Sequence, residues 1–242
     1  MRMLEVDRSD TKLLELLADV CHELGNPLMV IKSNLSSIHR YLLDHALWPR
    51  ELDQREVDLE FAVERMLALR EELLIATRSQ VDQIELGPTN LSLCLERVCR
   101  MARLSAQEKA LTFTEEYSSS RPYVIGNDWA VQSICSNLLS NAVRYTMEGS
   151  VHLKVLNKGP TVIVEVSDTG VGISEVEQTR IYERYYRTPM AQEMNAGGIG
   201  LGLAITRNLI EALGATIEVE SYTGIGSTFR VAFSAAEYEE AG

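Results

Sequence analysis

Nine apolar residues spaced for one face of a helix dictate how the first part of this chain must fold. Leu13, Leu17, Val20, Leu24, Leu28, Ile31, Leu35, Ile38 and Leu42 recur at steps of three and four, a stripe sustained over about four heptads. It stops near Trp48-Pro49-Arg50, where proline ends a helix. A second stripe follows in Leu59, Val63, Met66, Leu69, Leu73 and Ala76. Two long helices joined by a short turn make an antiparallel hairpin. A lone hairpin buries only one side of each helix. Pairing two hairpins into a four-helix bundle covers the rest, so a homodimer through this hairpin is expected.

The pattern changes at Glu85-Leu86-Gly87-Pro88-Thr89-Asn90, whose Gly-Pro break reads as a linker. Beyond it the periodicity predicts a helix over 91–107, strands over 111–117 and 123–125, and a helix over 128–146. Alternating strands over 150–156 and 161–167, a short helix over 175–183 and a helix over 201–213 follow. A hairpin over 215–222 and 227–234 closes the chain, turning on Thr223-Gly224-Ile225-Gly226. Helices interspersed with antiparallel-style strand pairs predict a two-layer α/β sandwich rather than a doubly wound parallel sheet. The expected organisation is an all-α hairpin over 1–83, a linker over 84–90 and an α/β domain over 91–242.

Length and charge agree with two globular domains and exclude some partners. The chain has 242 residues, 45% of them hydrophobic and 24% charged, a globular balance. A formal charge of −12 repels nucleic-acid phosphates, so no direct nucleic-acid binding is expected. Cys21, Cys94, Cys99 and Cys135 show no zinc spacing and read as buried thiols of a reducing compartment. Residues 1–10 are too polar for a signal peptide, and no apolar run reaches the ~18 residues of a membrane span. A cytoplasmic location without a membrane segment is the expectation.

His22 lies in Cys21-His22-Glu23-Leu24-Gly25-Asn26-Pro27-Leu28. At about 100° per residue it points well away from Val20 and Leu24, toward the outside of a bundle. A free imidazole has a pKa of about 6.5 and is largely an uncharged nucleophile at neutral pH. Glu23 is placed to accept the proton of one ring nitrogen, leaving the other to attack. Asn26, one turn on, shares a face with His22 and is placed to position a water. Pro27 removes a backbone donor in mid-helix and loosens it there. His39, His45 and His152 have no comparable setting and read as surface residues.

A second constellation lies in the α/β part. In the helix over 128–146, Asn137, Asn141 and Arg144 fall within about 60° of arc, opposite Val131, Cys135, Leu138 and Ala142. Amide oxygens suit a hydrated Mg²⁺, and a guanidinium suits phosphates. Asp168 ends an apolar strand and is followed by Gly170 and Gly172, which let the backbone approach a flat ring while the carboxylate accepts from an exocyclic amino group. Gly197-Gly198-Ile199-Gly200-Leu201-Gly202-Leu203 opens the helix over 201–213 and offers backbone N–H groups to phosphates. It matches neither a GxxxxGK[ST] phosphate loop nor a GxGxxG dinucleotide turn. Residues 188–196 before it read as a mobile lid, with Arg184 and Arg187 at the near hinge.

In this order the segments resemble the motifs of sensor histidine kinases of two-component systems. His22–Leu28 resembles the phosphoacceptor box, with Gly25 where Lys or Arg is usual, a change that removes a charge and costs about 1 kcal/mol of helix propensity relative to Ala. Asn137–Ala142 with Tyr145-Thr146 resembles the asparagine box, and Asp168–Ile173 the first glycine box. Ile181–Arg187 resembles the aromatic box, Gly198–Leu203 the second glycine box, and Gly224–Phe229 the closing glycine turn. The resemblance covers residues 10–234. It implies a dimerisation and phosphotransfer hairpin joined to a GHKL-type ATPase domain that uses ATP and Mg²⁺, phosphorylates His22, and passes the phosphoryl group to an aspartate of a response-regulator receiver domain. By match, Asn141 ligates Mg²⁺, Asn137 supports the phosphate side, and Arg144 and Arg187 meet phosphates. Asp168 reads the adenine amino group and Tyr145 lines the pocket. Gly170, Gly172, Gly198, Gly200, Leu201, Gly202 and Thr228 complete the nucleotide site, and Asn26 implies a phosphatase activity toward the same partner.

Two other readings share some of these features. A GHKL ATPase of the chaperone or mismatch-repair type needs no His22 hairpin and normally carries a catalytic glutamate in the asparagine-box helix, whereas here that helix begins with Asp128. A non-catalytic dimer that binds nucleotide as a signal would not need Asn141, Asp168 and the glycine segment together.

Overall fold

The computed structural model describes residues 86–118, 123–194 and 200–236, together with individual helical residues between 24 and 66. Two compact units emerge, one built on residues 1–83 and the other on residues 84–196 and 200–242. In the first unit, Leu24, Leu28, Ile31, Leu35, Ile38 and Leu42 of the first stripe and Leu59, Val63 and Met66 of the second are helical. Leu28 and Val63 are buried, while Leu24, Ile31, Ile38, Leu59 and Met66 stay exposed in the single chain. Among the described residues, no helix is long and apolar enough to cross a membrane.

The second unit opens with strand β1 (Gly87–Asn90) and helix α1 (Leu91–Glu108). The Gly-Pro segment read from sequence as the end of a linker is therefore a strand. It pairs antiparallel with β3 (Tyr123–Gly126) in a two-stranded sheet of its own. Proline at position 88 is tolerated because such a short ribbon leaves it at an edge. Asn90 caps α1, its Oδ1 accepting from the N–H of Leu93 at 3.2 Å.

The main sheet has five strands in the order β2 (Thr112–Tyr117), β4 (Ser150–Lys158), β5 (Thr161–Asp168), β7 (Gly226–Ser234) and β6 (Thr216–Tyr222). Three of its pairings are antiparallel, but β2 runs parallel to β4. The sheet is mixed, and the strand pairs are not all of the antiparallel style expected from sequence. A parallel pair needs a long crossover, and here β3 and helix α2 (Asp128–Tyr145) supply it.

Alternation along the strands assigns the two faces. Val151, Leu153 and Val155 of β4, Val162, Val164 and Val166 of β5, and Phe229, Val231 and Phe233 of β7 are buried. They pack under a helical layer of α1, α2 and α5 (Gly202–Ala212), in which Leu95, Ile134, Leu138 and Leu209 are fully buried. Cys94, Cys99 and Cys135 are free and buried in this layer, and burial pushes the first two thiols up to about 11 and about 12. They behave as small core residues, not as reactive thiols. The architecture is a two-layer α/β sandwich.

The opposite face of the sheet carries a ladder of alternating charge. Lys154 on β4 meets Glu116 on β2 at 2.8 Å and lies in register with Glu165 on β5. Arg230 on β7 bonds Glu165 at 2.6 Å and Glu220 on β6 at 3.0 Å. One charged residue per strand thus fixes register across all five strands.

The segment between β5 and α5 holds two short helices, α3 (Glu175–Gln178) and α4 (Pro189–Glu193). Helix α3 stops well short of the residue 183 expected from sequence. Helix α4 lies within the stretch read as a mobile lid. Thr188 caps it by accepting from the N–H of Ala191 at 3.2 Å, and proline starts it where no donor is needed.

Candidate functional site

Helix α2, the end of β5 and the start of α5 converge through direct bonds. Asn127 caps α2 by accepting from the N–H groups of Trp129 and Ala130 at 3.1 and 3.3 Å, and Asp128 in the first turn suits the helix dipole. The apolar side of α2 is buried, while Asn137, Asn141, Arg144 and Tyr145 are half-buried on the other, as the 100° spacing requires.

Asn137 holds α2 to α5. Its Nδ2 donates to the hydroxyl of Thr206, a residue only 1% exposed, at 2.7 Å. Gly202 sits so close that a Cβ there would lie 2.2 Å from the Asn137 Oδ1. Sequence reasoning missed Thr206, although its place one turn after Gly202 puts it on the same helical face.

Tyr145 holds α2 to the turn after β5. Its backbone carbonyl accepts from the N–H of Val171 at 3.2 Å, and a Cβ on Gly170 would lie 2.4 Å from that oxygen. The Asp168 Oδ1 accepts from the N–H of Gly170 at 2.8 Å. Burial raises the Asp168 carboxyl above the ordinary carboxylate range, and N–H donors from Gly170 and Ser227 pull it partly back. Gly172, at φ +67°, faces the Tyr222 carbonyl, which a Cβ would approach to 2.0 Å. Gly170 and Gly172 are thus crowded by backbone of the protein itself.

The same turn is braced from β6. The Ser221 hydroxyl accepts from the N–H of Ile173 at 2.7 Å and donates to the Gly226 carbonyl at 2.9 Å. Gln178 Nε2 donates to the carbonyls of Ile173 and Ser221 at 3.0 and 2.9 Å. Neither residue belongs to a recognisable motif, so no sequence signal marked them. Thr228 shares a hydrogen bond of 3.0 Å with the hydroxyl of Ser167.

The aromatic segment and the glycine segment meet backbone to backbone. The Tyr185 N–H donates to the Gly200 carbonyl at 2.9 Å, and both residues have positive φ, +64° and +75°. Arg180 stacks 4.2 Å above the Tyr186 ring, and Arg207 lies 5.7 Å from that of Tyr182. Burial pushes the Tyr182 hydroxyl up to about 12. Arg187 Nη2 donates to the Ala191 carbonyl at 2.6 Å, while its buried Nε has no partner among the described residues. An anion beside Arg187 would satisfy that donor.

Leu201 is buried at the start of α5, and Gly200 and Gly202 flank it. Gly198, together with His22, Glu23 and Asn26, lies outside the described residues. Among the described residues no group of three or more His, Cys, Asp or Glu could hold a metal ion. The half-buried amide of Asn141 has no hydrogen-bond partner among the described residues, and it fits a Mg²⁺ ion that keeps several waters.

Known proteins resemble this chain over much of its length. Residues 126–237 match the family described as histidine kinase-, DNA gyrase B-, and HSP90-like ATPase. The circadian input-output histidine kinase CikA of Synechococcus elongatus is 33% identical over 229 residues, which cover 90% of this chain and 29% of that protein. The signal transduction histidine-protein kinase ArlS of Staphylococcus aureus is 27% identical over 96% of this chain and 51% of its own length. The crystal structure of full-length ShkA in complex with AMPPNP superposes with a TM-score of 0.63 at 26% identity, covering 93% of this chain and 47% of that one. The chain thus spans between about a third and a half of these proteins. A domain of this kind fits an ATP-dependent kinase. Residues 126–237 thus match an ATPase-type domain of this family, and the chain is similar to sensor histidine kinases over nearly its whole length.

Proposed function

We propose that this chain is the catalytic core of a protein histidine kinase, which uses ATP to phosphorylate His22 and passes the phosphoryl group to an aspartate of a response-regulator receiver domain. The observation that carries the reading is the joining of three elements by direct bonds: α2 through Asn137 onto α5, and α2 through Tyr145 onto the Asp168 turn. The similarity to histidine kinases over 90% of the chain supports reading His22 as the phosphoacceptor.

In this mechanism Asp168 accepts from the adenine amino group, and Arg144 and Arg187 bind phosphate oxygens. Asn141 would hold Mg²⁺, whose contribution is to neutralise charge on the polyphosphate. One ring nitrogen of His22 attacks the γ-phosphorus while Glu23 takes the proton from the other. The N–P bond forms as the bond to the bridging oxygen breaks, and ADP leaves with that electron pair. An aspartate carboxylate of the receiver then displaces the imidazole, giving an acyl phosphate and free His22. Asn26 is assigned the positioning of a water that hydrolyses that acyl phosphate. The exposed apolar residues of the first unit, Leu24, Ile31, Ile38, Leu59 and Met66, support a homodimer joined through the hairpins. We place the reaction in the cytoplasm, where ATP and the receiver domain are available.

Incubation with ATP labelled on the γ-phosphate tests the proposal. Acid-labile, base-stable label on the wild type, absent from His22→Gln and transferable to a receiver domain, is the expected result. Label persisting in His22→Gln ends the assignment of His22.

A further inference from the structure

Lys109 directly follows helix α1, yet its side chain serves the far end of α2. Its Nζ donates to the backbone carbonyls of Val143 at 3.0 Å, Arg144 at 2.8 Å and Thr146 at 3.5 Å. Carbonyls in the last turn of a helix lack partners within the helix, and they form its negative end. An ammonium with three donors suits both conditions. Helix α2 has no glycine cap of its own, because the residue that ends it, Thr146, is extended at φ −100° and ψ 122°. The cap comes instead from Lys109, held in place by the turn that ends α1 with Ala110 at φ +57°.

The turn that Lys109 caps is the one that touches the proposed nucleotide site. Tyr145 lies between two of the carbonyls that Lys109 binds, and its own carbonyl accepts from the N–H of Val171. That carbonyl also packs against Gly170, whose N–H supports the Asp168 carboxylate at 2.8 Å. The connection runs without a gap from the Lys109 ammonium to the carbonyls of α2, to Tyr145, to residues 170–171 and to Asp168. The ammonium is kept at this position although desolvation and the Arg144 guanidinium both lower its pKa. Simple solubility would have placed it in water.

We infer that Lys109 is a positioning residue for nucleotide binding, locking the C-terminal turn of α2 so that the Tyr145 carbonyl sets the Asp168 turn at the adenine end of the site. This rests on the nucleotide reading given above.

The test uses the full 242-residue chain and three variants: Lys109→Met, Lys109→Arg, and Val98→Ala as a control. Val98 is buried in α1 at 8% exposure, and its aliphatic side chain offers these carbonyls no hydrogen bond. Two quantities are read: the Kd for ATP with Mg²⁺ by calorimetry, and amide hydrogen exchange over residues 169–173 without nucleotide. Lys109→Met is expected to weaken ATP on the order of tenfold, the loss of one charge-assisted hydrogen-bond set, and to speed exchange over 169–173. Lys109→Arg recovers most of both. Val98→Ala lowers the melting midpoint by a comparable amount and leaves both readouts near wild type. Wild-type affinity and exchange in Lys109→Met overturn the inference, and so do equal losses in Val98→Ala. If the wild type binds no ATP, the nucleotide reading itself fails, and the exchange comparison still decides whether Lys109 sets the turn.

Discussion

Asn137 and Thr206 are joined by a 2.7 Å hydrogen bond that ties the asparagine helix to the helix opened by the glycine segment. The amide therefore has a structural partner before any nucleotide arrives. Thr206→Val keeps the shape of a nearly inaccessible side chain and removes its acceptor. The stranded amide donor should cost about 1–2 kcal/mol of stability, measured as a fall in urea midpoint at unchanged slope. Gly202→Ala acts on the other side of the same amide, since its Cβ would lie 2.2 Å from Asn137 Oδ1. Asn137 must rotate away, and ATP affinity should fall by roughly tenfold, or about 1.4 kcal/mol. Full ATP affinity in Gly202→Ala would show that the amide orientation is irrelevant to the ligand.

The closing turn separates two reasons for using glycine. Gly224 and Gly226 both have positive φ, +76° and +134°, but only Gly226 is crowded. A Cβ there would lie 1.9 Å from the Asp168 carbonyl, while at Gly224 nothing stands within 4 Å. Gly224→Ala should therefore cost about 1 kcal/mol, for backbone conformation alone. Gly226→Ala adds displacement of the β5 end and should cost about 3 kcal/mol. Chemical denaturation of the two variants checks the order, and equal losses would refute the close-approach argument.

These glycines also show how far the sequence could be read. Of the N-terminal stripes, Leu13, Leu17, Val20, Leu69, Leu73 and Ala76 lie outside the described residues. Beyond them, periodicity located α1, α2, α5 and the four long strands, because each presents a continuous apolar face. The polar side of α2 was legible for the same reason. The parallel partnership of β2 with β4 was not, since alternation along one strand says nothing about the direction of its neighbour. Gly87–Asn90 was misread because Gly-Pro favours a break, and only the distant partner Tyr123–Gly126 makes it a strand. Gly170, Gly172 and Gly202 were read as places where the backbone approaches a ligand, but the atoms that forbid a side chain there belong to Tyr145, Tyr222 and Asn137, which a local reading cannot bring together.

Arg230 sits between Glu165 at 2.6 Å and Glu220 at 3.0 Å in the charge ladder. Arg230→Met retains the apolar stem and removes the charge. Because the Arg230 and Glu165 side chains are 35% and 20% exposed, the network should be worth about 1 kcal/mol, more than an isolated surface pair. The loss should shrink in 1 M NaCl, where the Debye length is about 3 Å. Adding Glu165→Gln to Arg230→Met should cost less than Glu165→Gln does alone. Strict additivity and a salt-independent loss would mean that the ladder does not stabilise the sheet.

Asp168 carries an unfavourable charge in the free protein, and the sign of its effect follows from linkage. Burial raises the native carboxyl above its ordinary value near 3.8, so the native state holds the proton more tightly than the unfolded chain. Stability contributed by this group is present below the ordinary value and is lost as pH rises through the raised native value. Asp168→Asn removes the titration while its side-chain oxygen still accepts from the Gly170 N–H. Without nucleotide, the variant should be more stable than wild type at pH 7, and the advantage should narrow on acidification and vanish once the wild-type carboxyl is protonated in both states. ATP binding should move the opposite way, because the amide offers a weaker acceptor to the adenine amino group. Thermal melts of both proteins from pH 7 down to pH 3, paired with ATP titrations at pH 7, measure the two effects. A variant less stable than wild type at pH 7 would mean that the N–H donors of Gly170 and Ser227 outweigh the burial of the charge. In that case the carboxylate would be a structural element of the turn, not a group kept under strain for its ligand.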